Sequence, residues 1–407
     1  MADASAMTLC VCVPARNEAA RLPILLDALA TQDWPGPIPV VIAINNSTDD
    51  SRAIADAARH RHAGRLDVRI VERTFAPELA HAGSARRMAM DTGLALLPAL
   101  DCAALVSTDA DSRPPTDWLR NIAAAFSRGA DMVGGRIDID SDEPLPPPVH
   151  RLRTAWDQYW VAVRAIEDAI DPQPWDPAPH HGDHTGASLA IRAELYLACG
   201  GVPAIASGED RALVLAALAR GARLVHPVTV CTRVSPRLEG RAEGGMAVAM
   251  QTLFANVENN ILPMAPAFTH WRERAHWRKQ LRARPDGAAL IARQEPLLPP
   301  MPHDMMLELQ SGPAARSALR SIIMALVIAR GWRQLPPPSA GRSSCWVQGW
   351  AQQELTLLTI GPLPAASTGW TTRPHAPPRC TMRPLVMKAC GRAWRGSHNG
   401  SRRSALC

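Results

Sequence analysis

Aromatic side chains are scarce in this chain: among 407 residues there are 2 Tyr and 4 Phe, against 12 Trp. That is an unusual balance for a core that would normally draw on phenylalanine, yet a hydrophobic content of 47% still allows a sizeable core. The 9 cysteines are scattered, odd in number and nowhere spaced as CxxC pairs, which argues against a disulfide framework and a zinc ribbon. Cys10 and Cys12 lie two apart on one strand face, where small buried side chains are the expected role. A reducing compartment fits this usage. No basic leader precedes the short apolar run near Met1, so the start does not read as a secretory signal. The longest later apolar run, "SIIMALVIA" at 321–329, has about half the length that crosses a bilayer. A soluble cytoplasmic protein is the expectation.

A strong charge of one sign is also missing from most of the chain. Residues 331–407 carry ten Lys+Arg and one acid, Glu354, or +9; the first 330 residues then hold 34 basic and 37 acidic side chains, or −3, giving the total of +6. The basic character belongs to the tail, so charge lends no support to nucleic-acid binding by the main domain.

What is present is alternation. Short apolar runs at Leu9–Val13, Val40–Ile44, Val68–Val71 and Ala104–Ser107 predict strands, and helical periods at Ala19–Thr31, Arg52–His62 and Ala85–Leu97 separate them. Strand starts recur at the size of a βαβ unit, which predicts an α/β fold with a parallel, mostly buried sheet. A further strand is expected at Met132–Ile137, then a solvated loop over "DIDSDEPLPPPVH" and an amphipathic helix from Arg151. "DPQPWDPAPHHGDHTG" reads as a rigid histidine-rich loop. "ASLAIRAELYLACGG" gives a strand or helix closed by Gly200 and Gly201. Ser207 is the expected N-cap of a helix with Glu209 and Asp210 in its first turn. Residues 241–330 look helical, and 331–407 keep no period. That last segment reads as a low-order basic tail, or as the product of a frameshifted gene end.

Ligands of such sheets bind beyond the carboxyl ends of the strands, and those ends hold "PARNE", "NNSTDDS" and "TDADS". Asp109 and Asp111 stand two apart where a buried strand ends, and crowded carboxylates there call for a cation or hydrogen bonds. Mg²⁺ or Mn²⁺ prefers oxygen ligands and keeps positions open for phosphate when one or two carboxylates hold it. Taken singly, a DxD is ordinarily a solvated turn, and "PARNE" and "GED" place acids where helix starts favour them. Their joint placement at successive strand ends points to one crevice.

Together, "CVPARNEAARL", "NNSTDDS", "HAGSARRMAMD", "STDADS", "GASLAIR", "SGEDRAL" and "RVSPRLEGRAEGG" make residues 8–245 resemble a glycosyltransferase family 2 protein with the GT-A fold. The resemblance implies a nucleotide-diphosphate sugar donor, a divalent metal and transfer with inversion. Carried over, Pro14, Ala15, Arg16 and Glu18 would line the nucleobase and ribose pocket. Asn46 would stand near a position where the family often has a base-reading aspartate. Arg86 would lie toward the nucleotide, Asp109 would border ribose or metal, and Asp111 would be the main metal ligand. Asp210 would be the catalytic base, with Glu209 its neighbour. Arg233 and Arg237 offer guanidinium forks for diphosphate or an acidic acceptor, and His184 and Thr185 would meet the acceptor.

Two other readings stay open. His181, Asp183 and His184 match part of a metallohydrolase HxHxDH pattern and have donors suited to Zn²⁺. A non-catalytic GT-A-like binding protein would keep the same motifs without turnover. The expected organisation is a GT-A domain over 7–245, a helical extension over 246–330 and the tail over 331–407. The absence of a QxxRW motif and of membrane spans argues against a processive polysaccharide synthase. The acceptor is unknown, and contact with a membrane surface stays open.

Overall fold

Apolar residues alternate across both faces of the first strand, and the fold follows from covering both. The computed structural model describes residues 7–240, 245–294 and 306–308. The chain divides after Leu335, and all described residues precede that division. The expected tail and the apolar run at 321–329 lie outside the described residues.

The first half runs β1 (Thr8–Ala15), α1 (Leu22–Ala30), β2 (Ile38–Asn45), α2 (Ser51–Arg61), β3 (Leu66–Arg73), α3 (Ala82–Leu96), β4 (Ala103–Ser107), β5 (Ser112–Arg113) and α4 (Trp118–Ser127). There follow β6 (Met132–Gly134), β7 (Arg136–Ile139), α5 (Pro147–Ile170), β8 (Leu189–Arg192), α6 (Ala193–Ala198), α7 (Glu209–Leu218), β9 (Leu224–Val225) and β10 (Cys231–Val234). Last come α8 (Met246–Glu258), β11 (Met264–Pro266), α9 (Phe268–Arg282), α10 (Gly287–Gln294) and β12 (Met306–Glu308).

Seven strands form the main sheet in the order β3-β2-β1-β4-β8-β6-β9. Its pairs are parallel except where β8 runs antiparallel to β4 and β6. Leu9, Val11 and Val13 bury on one side with Leu22, Leu25 and Leu26 of α1 and with Trp118 and Phe126 of α4. Cys10 and Cys12 bury on the other side with Ala89 and Met90 of α3 and Leu213 of α7. Small residues are needed there because α3 lies close on β1: a Cβ on Gly93 would stand 2.8 Å from Cys12 Sγ.

Three local expectations are corrected. The run Met132–Ile137 is two strands in two sheets, since β6 joins the main sheet and β7 pairs β10 in a small one with β5. The break falls at two glycines under close approach: a Cβ on Gly134 would meet the Asp183 carbonyl at 2.2 Å, and one on Gly135 would meet Ser188 Oγ at 2.0 Å. The proline-rich loop ends early, because Pro147 and Pro148 open α5, where a missing N–H costs nothing. The cap of α7 is Gly208 rather than Ser207; its φ of 77° is a left-handed conformation that glycine adopts without strain.

Helices α8 and α9 pack on α5, and α10 packs on α9 and α7. Leu253 and Met250 of α8 bury with Val149 and Leu152, and Tyr159 Oη donates to the Pro266 carbonyl at 2.7 Å. Among the described residues no helix is long and apolar enough to cross a membrane.

Candidate functional site

The loops after β1 and β2 are laced together by the polar residues of "PARNE" and "NNSTDDS". Asn17 donates its amide N–H to Ser47 Oγ at 3.0 Å and accepts from the Thr48 amide at 2.7 Å. The Glu18 amide donates to Ser51 Oγ at 2.8 Å, and Ala19 donates to Asp49 at 3.0 Å. Asp49 also takes the Ser51 hydroxyl at 2.6 Å. Partial burial raises its carboxyl, but these hydrogen bonds outweigh burial and hold it below the usual range. Much of this polar set therefore builds the rim.

Asn46 illustrates the point. Its backbone is left-handed, with φ at 48°. Its side chain donates to the Phe75 carbonyl at 2.9 Å and accepts the Phe75 amide at 3.1 Å. The amide clamps the exit of β3, engaging the two functions that base reading would use. Arg16 donates to the Ala80 carbonyl at 2.8 Å, fixing the rim to the loop before α3. Pro14 is half-buried and Ala15 buried at the end of β1.

Arg86, from the first turns of α3, is 5% exposed and joins the two acidic motifs. Its guanidinium donates to Asp109 Oδ1 at 2.8 Å, Glu209 Oε1 at 2.9 Å, Ser107 Oγ at 2.5 Å and the Gly186 carbonyl at 3.0 Å. Burial opposes its charge, but the Asp109 and Glu209 carboxylates prevail and raise its pKa. Gly186 makes room: a Cβ there would stand 2.4 Å from Arg86 Cζ. The Gly186 amide donates to Asp210 Oδ2 at 2.7 Å. Asp210 thus sits one peptide from the arginine that holds Asp109. Glu209 is buried, at 6% exposure, whereas Asp210 is half-buried.

A second arginine holds the other carboxylates. Arg237, in the loop after β10, donates to Glu18 at 2.7 and 2.5 Å and lies 3.0 Å from Asp111 Oδ2. Burial, followed by the Asp109 charge, pushes the Asp111 carboxyl up to about 6, with Arg237 opposing and Glu18 adding. A cavity of about 440 Å³ opens beside it, lined by Glu18, Arg21, Arg237, Leu238 and Glu239 among others. Arg21 bonds Glu143 at 2.9 Å through Nη2, and Ser235 donates to Glu143 at 2.9 Å. Sequence reasoning missed these three residues as well as Ser107 and Gly186. Arg21 and Gly186 stand within the quoted segments, while nothing local marks Glu143.

Not every expected residue joins the cleft. Arg233 approaches Ser141 Oγ at 3.4 Å instead of joining Arg237. Thr185 is exposed. His184 turns its Nδ1 to His226 Nε2 at 3.3 Å. His181 Nδ1 accepts the Asp183 amide at 3.0 Å, so His181, Asp183 and His184 do not converge as one ligand set. The cluster of potential metal-ligating side chains within the described residues is Asp176, His180 and His226.

The mostly parallel sheet carries acidic residues in its strand-end loops and at the start of α7. Residues 10–171 match the model of glycosyl transferase family 2. No curated protein matches the chain. Among solved structures, S. aureus TarS is similar at 17% identity and a TM-score of 0.39, over 62% of this chain and 43% of that one, so this chain spans less than half of TarS. The mannosyltransferase PcManGT from Pyrobaculum calidifontis, solved with GDP-Man and Mn²⁺, is similar at 19% identity and a TM-score of 0.41, over 80% of this chain and 87% of its own. Glucosyl-3-phosphoglycerate synthase from Mycobacterium tuberculosis, solved with Mn²⁺, UDP-Glc and glycerol 3-phosphate, is similar at 18% identity and a TM-score of 0.35, over 62% and 80%.

Proposed function

We propose that this chain is a metal-dependent, inverting glycosyltransferase that moves a sugar from a nucleotide-diphosphate donor to an acceptor hydroxyl. The observation that carries the reading is the Arg86 bridge, which ties Asp109 at a strand end to Glu209 and, through Gly186, to Asp210 at a helix start. Two acidic groups with different tasks are thereby fixed across one crevice.

Asp109 and Asp111 fit Mg²⁺ or Mn²⁺, because both offer hard oxygen donors. Burial first, then the neighbouring Asp109 and Glu18 charges, raise the Asp111 carboxyl even with Arg237 present, which supports a cation beside it. When bound there, the ion supplies Lewis-acid stabilisation of the diphosphate leaving group. Asp210 accepts the acceptor hydroxyl's proton as that oxygen attacks the anomeric carbon; such general-base help is typically worth about 10²–10⁴ in rate. Its two carboxylate oxygens are oriented by the Gly186 and Arg211 amides, each at 2.7 Å. Single displacement from the face opposite the diphosphate gives inversion. Pro14, Ala15, Arg16 and Glu18 border the base and ribose end, and Asn46 acts there by holding the rim. Arg237, which holds Glu18 and lies 3.0 Å from Asp111, would offer its fork to the phosphates of a bound donor. Membrane location and compartment play no part in this reading.

The test is a thermal-shift and transfer panel of nucleotide-diphosphate sugars with and without Mn²⁺. Donor binding that requires the metal and disappears in Asp111→Asn supports the reading. Asp210→Asn should keep donor binding and lose roughly 10²-fold or more in transfer. Uniform silence of the folded protein across the panel, or full transfer by Asp210→Asn, would sink it.

A further inference from the structure

The proposed transfer chemistry leaves a second polar cluster unused. Asp176 and His180 stand in the loop after α5, and His226 follows β9; each offers one ligand atom, and the three atoms lie within 4.8 Å of one another. Asp176 Oδ2 is 2.7 Å from His226 Nδ1 and 3.8 Å from His180 Nδ1. Each ring turns its other nitrogen outward to a partner. His180 Nε2 meets Asp168 Oδ1 at 2.9 Å, and His226 Nε2 meets His184 Nδ1 at 3.3 Å.

His180 Nδ1 turns toward Asp176 and is buried with no hydrogen-bond partner. A buried polar atom without a partner is costly. A carboxylate behind a histidine is the outer-shell device that orients a metal-ligating imidazole and raises its basicity. Two imidazoles and one carboxylate supply three of the four ligands that Zn²⁺ takes, nitrogen together with oxygen. His181 adds a second buried, unpartnered atom, Nε2, on a ring 5.7 Å from that of His226. The nearby positive charge of Arg164 is paired to Glu167 at 2.7 Å.

We propose that Asp176, His180 and His226 bind Zn²⁺ as a structural site that fastens the histidine-rich loop to the end of β9. Residues 171–185 contain no strand or helix; Asp176 ties them to the β9 exit by accepting the His226 amide at 2.8 Å and meeting His226 Nδ1 at 2.7 Å, beside an isolated bridge from His180 to Pro227. The loop ends at Gly186, whose amide holds Asp210. Fixing it therefore fixes the acceptor side of the cleft, while the ion itself stays apart from Asp109 and Asp111.

The test uses the full chain purified without chelators, with zinc measured by elemental mass spectrometry and affinity by competition against a chromogenic chelator. Stoichiometric zinc that is lost in His180→Ala and His226→Ala but retained in Asp111→Asn supports the site. Asp168→Asn, which keeps all three ligands, should weaken zinc about 10–100-fold. Circular dichroism of each variant checks folding; should an alanine variant not fold, Asp168→Asn and His180→Gln carry the comparison. A folded wild-type chain that binds no zinc at micromolar concentration overturns the proposal. So does stoichiometric zinc that survives both folded histidine variants with unchanged affinity.

Discussion

Arg86 concentrates the logic of the cleft in a single side chain. A buried cation among Asp109, Glu209 and Ser107 is tolerated because every direction of its fork finds an acceptor. Arg86→Met leaves Glu209 buried and unpaired, and removing one partner of such a pair costs about 3–5 kcal/mol. Urea denaturation should show a loss of that size, and the Arg86→Met, Glu209→Gln double variant should recover part of it. Asn46 makes the opposite point. Asn46→Asp restores the residue type that the family resemblance would favour, yet it removes the bond to the Phe75 carbonyl and sets two acceptors face to face. A loss of about 1–3 kcal/mol in chemical denaturation is expected; an unchanged midpoint would show that the clamp carries no stability.

At the scale of elements, loops and helices are positioned by a few exchanges between segments distant in sequence. Gly186 is the narrowest of these, since its carbonyl and amide serve Arg86 and Asp210 while its missing Cβ leaves space for the guanidinium. Gly186→Ala should therefore displace Arg86, costing about 1–3 kcal/mol by overpacking and lowering transfer more than donor affinity, as steady-state kinetics would read. On α5, Glu167 pairs with Arg164 and with Arg278 of α9. Burial pushes its carboxyl up, but the two arginines outweigh burial and hold it below the ordinary value. Its folded pKa is thus depressed relative to about 4.3 in the unfolded chain. The resulting stability is present above about pH 4 and is lost as pH falls through the folded pKa. Glu167→Gln should flatten the acid limb of stability measured between pH 2 and 5, with the α5–α9 contact as its source.

For the whole molecule, the decisive arrangement is the meeting of Glu18, Asp111 and Arg237 from segments more than 90 residues apart. Arg237→Ala leaves the buried Glu18 and the half-buried Asp111 carboxylates without their shared cation, so the metal-free protein should melt lower and its thermal shift on adding Mn²⁺ should grow. A smaller shift than wild type would mean that Arg237 supports the cation site instead of substituting for it. The βαβ alternation, the strand-end position of Asp109 and Asp111 and the acidic start of α7 were legible in the sequence. Each depends on local period and on short motifs, which residues four to eight apart suffice to express. The division of Met132–Ile137 between two sheets was not legible, because close approaches by Asp183 and Ser188 cause it. Nor was the Asp176–His180–His226 cluster, whose third member comes from a different strand end. By itself, then, the sequence determined a mostly parallel α/β scaffold and which acids stand at its strand ends. Only the tertiary structure decided which of those acids share an arginine and that Asn46 holds a loop, since partners for buried charge are chosen by proximity across the sheet and not along the chain.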